Sequence, residues 1–301
     1  MAIVTPALVS ALFTGFRAEF QRVYGETPSS WDKVATLMPS TSKSNTYGWL
    51  GQFPKLVEWV GTRVLKDMAT HGYSIVNKLF ESTVSVPRTD IEDDEVGVYK
   101  PLFGEMGRAA KSFPDELVYG LLALGVSTLC FDGQNFFDTD HPVYPNVDGT
   151  GEAATISNYA AGTDLPWYLL DTSRVLKPVL FQERTKPELS SMTDGKDEAV
   201  FMTDTYRFGI RYRCNVGFGF WQTAFCSRLP LTDANFNAAY DAMTTFKADG
   251  GRPLGIKPSL LVVPTTLRTN AAEVVQVARR ADGSDNPNAG IVDVHVTPWL
   301  N

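Results

Sequence analysis

The densest gathering of residues able to do chemistry is Asp138-Thr139-Asp140-His141, where two carboxylates and an imidazole stand almost side by side. Asp138, Asp140 and His141 would be the start of a metal-dependent hydrolase site. That chemistry needs further ligands and a base to activate water. His71 and His295 are the only other histidines, and each falls in a turn or strand pattern that accounts for it. The same residues lie within DGQNFFDTDHPVYPNVDGTG (132–151), the richest turn segment in the chain, where Asp and Pro shape backbone rather than bind ions. A turn is the expected reading.

Other candidates are weaker still. The acids from Asp90 to Glu95 lack the alternating spacing of a calcium loop, and Thr89-Asp90-Ile91-Glu92 has the form of a helix capping box instead. Asn215–Trp221 carries a pair of glycines but no dinucleotide or phosphate fingerprint; glycine between strand aromatics marks close backbone approach. Ser10, Ser157 and Ser173 lack a nucleophile elbow. Cys130 and His141 are near in sequence, which is not triad geometry. Arg207, Arg211 and Arg213 form a basic strand face beside Tyr206 and Tyr212, suited to cross-strand pairing or to a subunit or DNA contact. No set supplies a nucleophile, a base and an oxyanion donor together, so no catalytic, cofactor-binding or metal residue is assigned and the chain is not expected to be an enzyme.

Bulk properties agree. At 301 residues, 44% apolar and 20% charged, the chain can bury a substantial core. A net charge of −7 argues against a general nucleic-acid coat. Three scattered cysteines make no disulfide framework and suggest a reducing compartment. No apolar run reaches the ~20 residues of a membrane span, and Arg17, Glu19 and Arg22 interrupt the N-terminal apolar face, so neither a signal peptide nor a membrane partner is expected.

The elements that must position these residues form an α+β chain. Residues 5–24 predict an amphipathic helix capped by Thr5, with Leu8, Leu12, Phe16 and Phe20 on one stripe and Gly25 at its end. Residues 26–48 read as an extended connector. Val60–Met68 and Tyr73–Val86 predict a two-stranded arm turning at His71-Gly72, with Phe80, Ser82, Val84 and Val86 on one face. A helix follows from the capping box, kinked or split at Pro101, and a second opens at Pro114; together they make a long spine. Trp167–Arg184 and Ala199–Phe225 carry strand signals separated by a polar stretch, Thr185–Glu198. The segment 231–301 predicts helix, strand, helix and strand, a small α/β unit. The arm has little apolar surface of its own and needs a third partner, which points to assembly.

Several long blocks then carry a resemblance: SNTYGWLGQFPKLVEWVG (44–61), HGYSIVNKLFE (71–81), DDEVGVYKPLFGEMGRAA (93–110), PDELVYGLL (114–122), the 132–151 turn segment, YLLDTSRVLKP (168–178) and RCNVGFGFWQ (213–222). In this order they resemble the Mu-like phage major head subunit family, the major capsid proteins of Mu-type tailed phages. The resemblance implies the tailed-phage capsid fold of the Hong Kong 97 type: an N-terminal arm (1–49), an extended loop (50–88), a peripheral domain with a spine helix (89–230) and an axial-like α/β domain (231–301). It implies a subunit that self-assembles into hexamers and pentamers of an icosahedral head around double-stranded DNA. Scaffold and portal would be its partners during assembly in the cytoplasm of a bacterial host, and decoration proteins possible later ones. Relatives of this fold sometimes crosslink a Lys to an Asn; Lys66 and Lys78 lie on the loop, but no supporting acid is recognisable and no crosslink is assigned. The alternatives are another phage structural protein, of tail or decoration type, and the hydrolase of Asp138, Asp140 and His141.

Overall fold

The computed structural model describes residues 5–50, 72–93, 95–147, 149–194, 196–280 and 282–301. The N-terminal helix α1 (Pro6–Glu26) starts where Thr5 accepts the Leu8 N–H at 3.2 Å, and runs through Gly25 to Thr27, whose N–H and hydroxyl both donate to the Val23 carbonyl. The connector that follows contributes two strands, β1 (Ala35–Pro39) and β2 (Ser44–Thr46). Val60–Met68 and His71, half of the expected arm and its turn, lie outside the described residues. The other half divides into β3 (Ser74–Val76), antiparallel to β2, and β4 (Lys78–Pro87).

Rather than pairing only within an arm, β4 is an edge of a four-stranded sheet. Its apolar face decides this: Val86 is buried, Val84 partly so, and Phe80 meets Phe113 edge-on at 4.6 Å. After β4 come a short helix α2 (Arg88–Glu92) and the spine helix α3 (Lys100–Ala123). The capping box does not form. Pro87 occupies the cap position of α2, and the Thr89 hydroxyl donates to Asp90 rather than serving the backbone. The Tyr99 hydroxyl also donates to Asp90, tying α2 to the turn before the spine. Pro101 lies in the first turn of α3, where its missing N–H costs nothing, and Pro114 lies inside a helix that continues unbroken to Ala123.

The next stretch is turn-rich, with β5 (His141–Val143) paired to β6 (Ala154–Ile156), then β7 (Tyr159–Ala160) and the wholly buried β8 (Trp167–Leu170). Two long strands follow, β9 (Val179–Met192) and β10 (Thr205–Phe218), with a short helix α4 (Glu198–Thr203) at their tip. The polar stretch expected to separate them is therefore largely strand: β9 continues to Met192, because Leu189 packs inward while its neighbours face solvent. The order in this sheet is β1-β9-β10-β4. Along β10, Tyr206, Phe208, Ile210 and Tyr212 are buried and Arg207 and Arg211 are exposed, the alternation of a sheet covered on one face.

The chain then crosses to β11 (Ala224–Ser227), α5 (Asp233–Thr244), β12 (Leu260–Pro264), α6 (Arg268–Val275) and β13 (Asp293–Thr297). Thr232 caps α5. β12 and β13 are parallel and bracket α6, as the α/β pattern requires. Their sheet, however, has the order β13-β12-β8-β11-β7, so three of its five strands come from residues 159–227.

The N-terminal helix is not held away from the body. Phe16 stacks on Phe103 of α3 at 4.1 Å and meets Phe208 of β10 edge-on at 5.5 Å. The crossing is close because of Gly107, where a Cβ would sit 2.5 Å from the Phe20 carbonyl oxygen. Gly107→Ala is therefore expected to force α1 off α3 and destabilise the isolated chain by about 1–3 kcal/mol. Gly120→Ala, one helix face away with nothing within 4 Å, should instead stabilise by roughly 0.5–1 kcal/mol. Urea unfolding of the two variants reads the difference directly.

Candidate functional site

His141 does not converge with Asp138 and Asp140. Its ring is fully buried, stacks on Trp221 at 4.1 Å and 10°, and turns Nδ1 toward Asp132 Oδ2 at 2.7 Å. Asp138 instead accepts from the Asn135 N–H at 3.3 Å, the Asn135 side-chain amide at 3.0 Å and the Thr139 N–H at 2.8 Å. Burial raises its carboxyl, but these donors outweigh it and hold Asp138 below the usual range; exposed Asp140, hydrogen-bonded to Asp138, is pushed up. Asp138 and Asp140 shape a turn.

Cys130 does reach the same place, through a residue that sequence spacing passed over. Asp132 Oδ1 accepts from the Cys130 thiol at 3.0 Å and from the Gln134 N–H at 3.1 Å. The carboxylate thus lies between thiol and imidazole, so His141 is not placed to take the thiol proton. Burial, then the Asp132 charge, push the Cys130 thiol far above its ordinary range, the opposite of an activated nucleophile. Cys214 and Cys226 are likewise buried and pushed up to about 12, chiefly by burial.

The glycines of Asn215–Trp221 are contact points: a Cβ at Gly217 would meet Ile75 Cδ1 at 2.3 Å, and one at Gly219 the Lys177 carbonyl at 2.8 Å. Of the arginine row, Arg211 stands in register between Glu188 of β9 and Glu81 of β4, and Arg207 between Met192 and Ser85. This face is mixed in charge rather than a cationic track.

The surface features that stand out are apolar. At the tip of the β9–β10 hairpin, Phe201 and Met202 are 81% and 71% exposed, flanked by Asp197, Glu198 and Asp204. Val98 and Leu79 are 68% and 60% exposed on other elements. The antiparallel pairing of Thr46 with Ser74 and the Tyr47 N–H bond to the Tyr73 carbonyl bring the chain on either side of residues 51–71 to one place. Among the described residues no helix is long and apolar enough to cross a membrane.

A polar clamp centred on buried Asp115 ties the segment after α1 and the spine helix to β13. Asp115 of α3 accepts from the Ser29 hydroxyl at 2.9 Å and the Ser30 N–H at 2.7 Å. Tyr119, one turn on, donates to the Ser30 carbonyl at 3.1 Å and lies 2.8 Å from His295 Nε2 of β13, whose Nδ1 faces the Lys33 ammonium at 3.4 Å. This geometry fixes neutral His295 with its proton on Nε2. Burial, with Lys33 beside it, pushes the imidazole below its ordinary value of 6.5, against a smaller opposing pull from Asp115.

Residues 9–300 match the family described as Mu-like prophage major head subunit gpT. The chain is 49% identical over 304 residues to the major capsid protein of Escherichia phage Mu, covering 99% of this chain and 100% of that one. It is 48% identical over 286 residues to the Mu-like prophage FluMu major head subunit of Haemophilus influenzae, covering 94% and 93%. Among solved structures it is similar to a chain of the procapsid of bacteriophage JBD30, with a TM-score of 0.86 at 64% identity over 99% of this chain and 100% of that one. A chain of the JBD30 capsid decorated with minor capsid protein trimers gives a TM-score of 0.78 at 48% identity, with both chains fully covered.

Because folded His295 resists protonation, the unfolded chain binds the proton first, and the contribution to stability is present above pH 6.5 and falls as pH drops through that value. The loss levels off once the folded imidazole itself titrates. His295→Gln should remove this part of the profile and leave the more acidic, carboxylate-dependent limb; melting temperature against pH for the two chains isolates it.

Proposed function

Because the chain belongs to the Mu-like prophage major head subunit family, we propose that its task is geometric, with each of its surfaces serving contact with further copies. It is a major capsid protein, a component of the virion, with the α+β fold of tailed-phage capsid proteins, and copies of it build the icosahedral head. The observation that carries this is the match to a major capsid protein and to a procapsid chain over 99% of this chain.

Within that role, copies form hexamers and pentamers. The segment 50–88 acts as the extended loop and lays its 51–71 portion on an adjacent subunit, while β4, its last strand, stays in the sheet of its own chain. The segment 1–49 is the arm, 89–230 the peripheral domain and 231–301 the core of the axial domain, completed by β8 and β11. Scaffold and portal act during assembly in the host cytoplasm, double-stranded DNA fills the inner face, and decoration proteins join the outside. The presence of minor capsid protein trimers on the JBD30 relative supports that last point. Exposed Phe201 and Met202 suit a subunit contact, since aromatic and Met side chains dominate interface cores.

Replacing 51–71 by a short Gly-Ser linker should leave β2 and β3 paired and the subunit folded, yet prevent shell closure; particles of normal appearance by electron microscopy would overturn the role given to this segment. Phe201→Ser with Met202→Ser should leave the melting temperature of the free chain within about a degree, because exposed substitutions cost little. Sedimentation of the same variant co-expressed with scaffold should show the shell fraction reduced at least about tenfold, as small per-contact losses multiply over many copies.

A further inference from the structure

Asp132 poses a problem that the capsid role does not absorb. Its side chain is 10% exposed, and among the described residues its only ion-pair partner is the imidazole of His141, with no Lys or Arg in reach. Its two oxygens are occupied by the Cys130 thiol, the Gln134 N–H and His141 Nδ1. One sulfur, one carboxylate oxygen and one imidazole nitrogen, from two buried residues and one half-buried, lie within 4.8 Å of one another.

We propose that Cys130, Asp132 and His141 bind one divalent transition-metal ion, zinc foremost, which fixes the turn following the spine helix. A thiolate, an imidazole and a carboxylate form a donor set suited to zinc, and softer and harder metals are each served poorly by part of it. Zinc bond lengths place such donors about 3.5 Å apart. Asp132 now stands between the other two donors, with Oδ2 at 2.7 Å from Nδ1 and Oδ1 at 3.0 Å from the thiol, and all three groups lie within 4.8 Å of one another, so binding draws the carboxylate back and the sulfur and nitrogen together.

The charges also balance. Without metal, the Asp132 carboxylate is mostly buried between a thiol and an imidazole, with no Lys or Arg paired to it among the described residues. On binding, the thiol proton leaves to solvent, the ring proton that Nδ1 shares with Asp132 moves to Nε2, and thiolate plus carboxylate neutralise the dication. Nδ1 is the ring nitrogen that faces the other two donors, while Nε2 is buried with no hydrogen-bond partner among the described residues. The donors are held in place beforehand. The Cys130 N–H donates to the Gln134 carbonyl at 2.8 Å, closing the turn, and the stack on Trp221 sets the ring plane of His141. Asp138 and Asp140 are spent in the neighbouring turn, so the ion has a structural rather than hydrolytic setting.

The test uses the full-length chain, purified under reducing conditions without chelator. Elemental analysis should find about one zinc per chain, released with loss of thermal stability by a strong chelator. Cobalt loaded in its place should give a sulfur-to-cobalt charge-transfer band. Cys130→Ser and His141→Asn should abolish the band and weaken cobalt binding at least about tenfold, while Cys214→Ser leaves both unchanged. If a variant fails to fold, the metal content and cobalt spectrum of the unaltered chain decide. Only trace metal, together with no charge-transfer band in cobalt-treated protein of native circular dichroism, would overturn the proposal and leave a hydrogen-bonded cluster held by protons alone.

Discussion

The carboxylate of Asp115 is the constraint on which the arrangement of the subunit depends. It is 2% exposed, and no ion pair forms to it among the described residues, so its charge is tolerated only because Ser29 and Ser30 deliver donors to it. Those serines lie just beyond the end of α1, and Asp115 lies on α3; the carboxylate therefore fixes the N-terminal segment to the spine. Taking away either side would leave a buried polar group unsatisfied, which costs more than the bond itself contributes. Tyr119 carries the same tie onward to β13 through His295. The spine cannot shift relative to the second sheet without breaking this chain of bonds.

Two further crossings join the sheets. The path from β8 to β9 passes Asp171, which is 1% exposed and accepts from Ser173, from Arg174 at 3.1 Å and from the Lys257 N–H at 3.1 Å. Arg174 reaches on to the Leu254 carbonyl. The return path, from β10 to β11, runs beside it, and the Gly219 N–H donates to the Pro178 carbonyl at 2.8 Å. The sheets also share one hydrophobic core, in which Phe181 and Tyr212 of the first belong to the same cluster as Trp167 and Leu261 of the second, so these connections add fixed points to a packed interface.

Much of this was legible in local pattern. The cap at Thr5 and the four-residue recurrence of Phe16 and Phe20 specify α1, and the alternation of Tyr206 to Tyr212 specifies β10 and its exposed arginines. Patterns failed where distant partners decide. Local preference divides the spine at Pro101 and Pro114, yet Pro114, Val118, Tyr119 and Leu122 are all buried, and that packing outweighs the ~3 kcal/mol cost of an interior proline. Trp167–Leu170 is buried at every position and so has no period to reveal which sheet it joins. At the Asp-His cluster the residue types were visible but the pairing was not. Asp138 is closer in sequence, but its turn spends it on Asn135, and the turn closed by Cys130 and Gln134 presents Asp132 instead.

The surface follows from the same economy of contacts. A chain that must join many copies cannot expose a broad apolar face, or it would associate without order before reaching its place. Here the large apolar side chains are scattered over separate elements: Phe201 and Met202 at one tip, Leu79 on an edge strand, Val98 before the spine. Acids border the tip, and the chain as a whole carries −7, so approaching copies repel unless an apolar fit brings them to short range. Small, separate patches suit contacts that release a misplaced copy quickly, since affinity differences are expressed mainly in dissociation rates. Such contacts call for rigidity within the subunit, which Asp115 and the paired crossings supply.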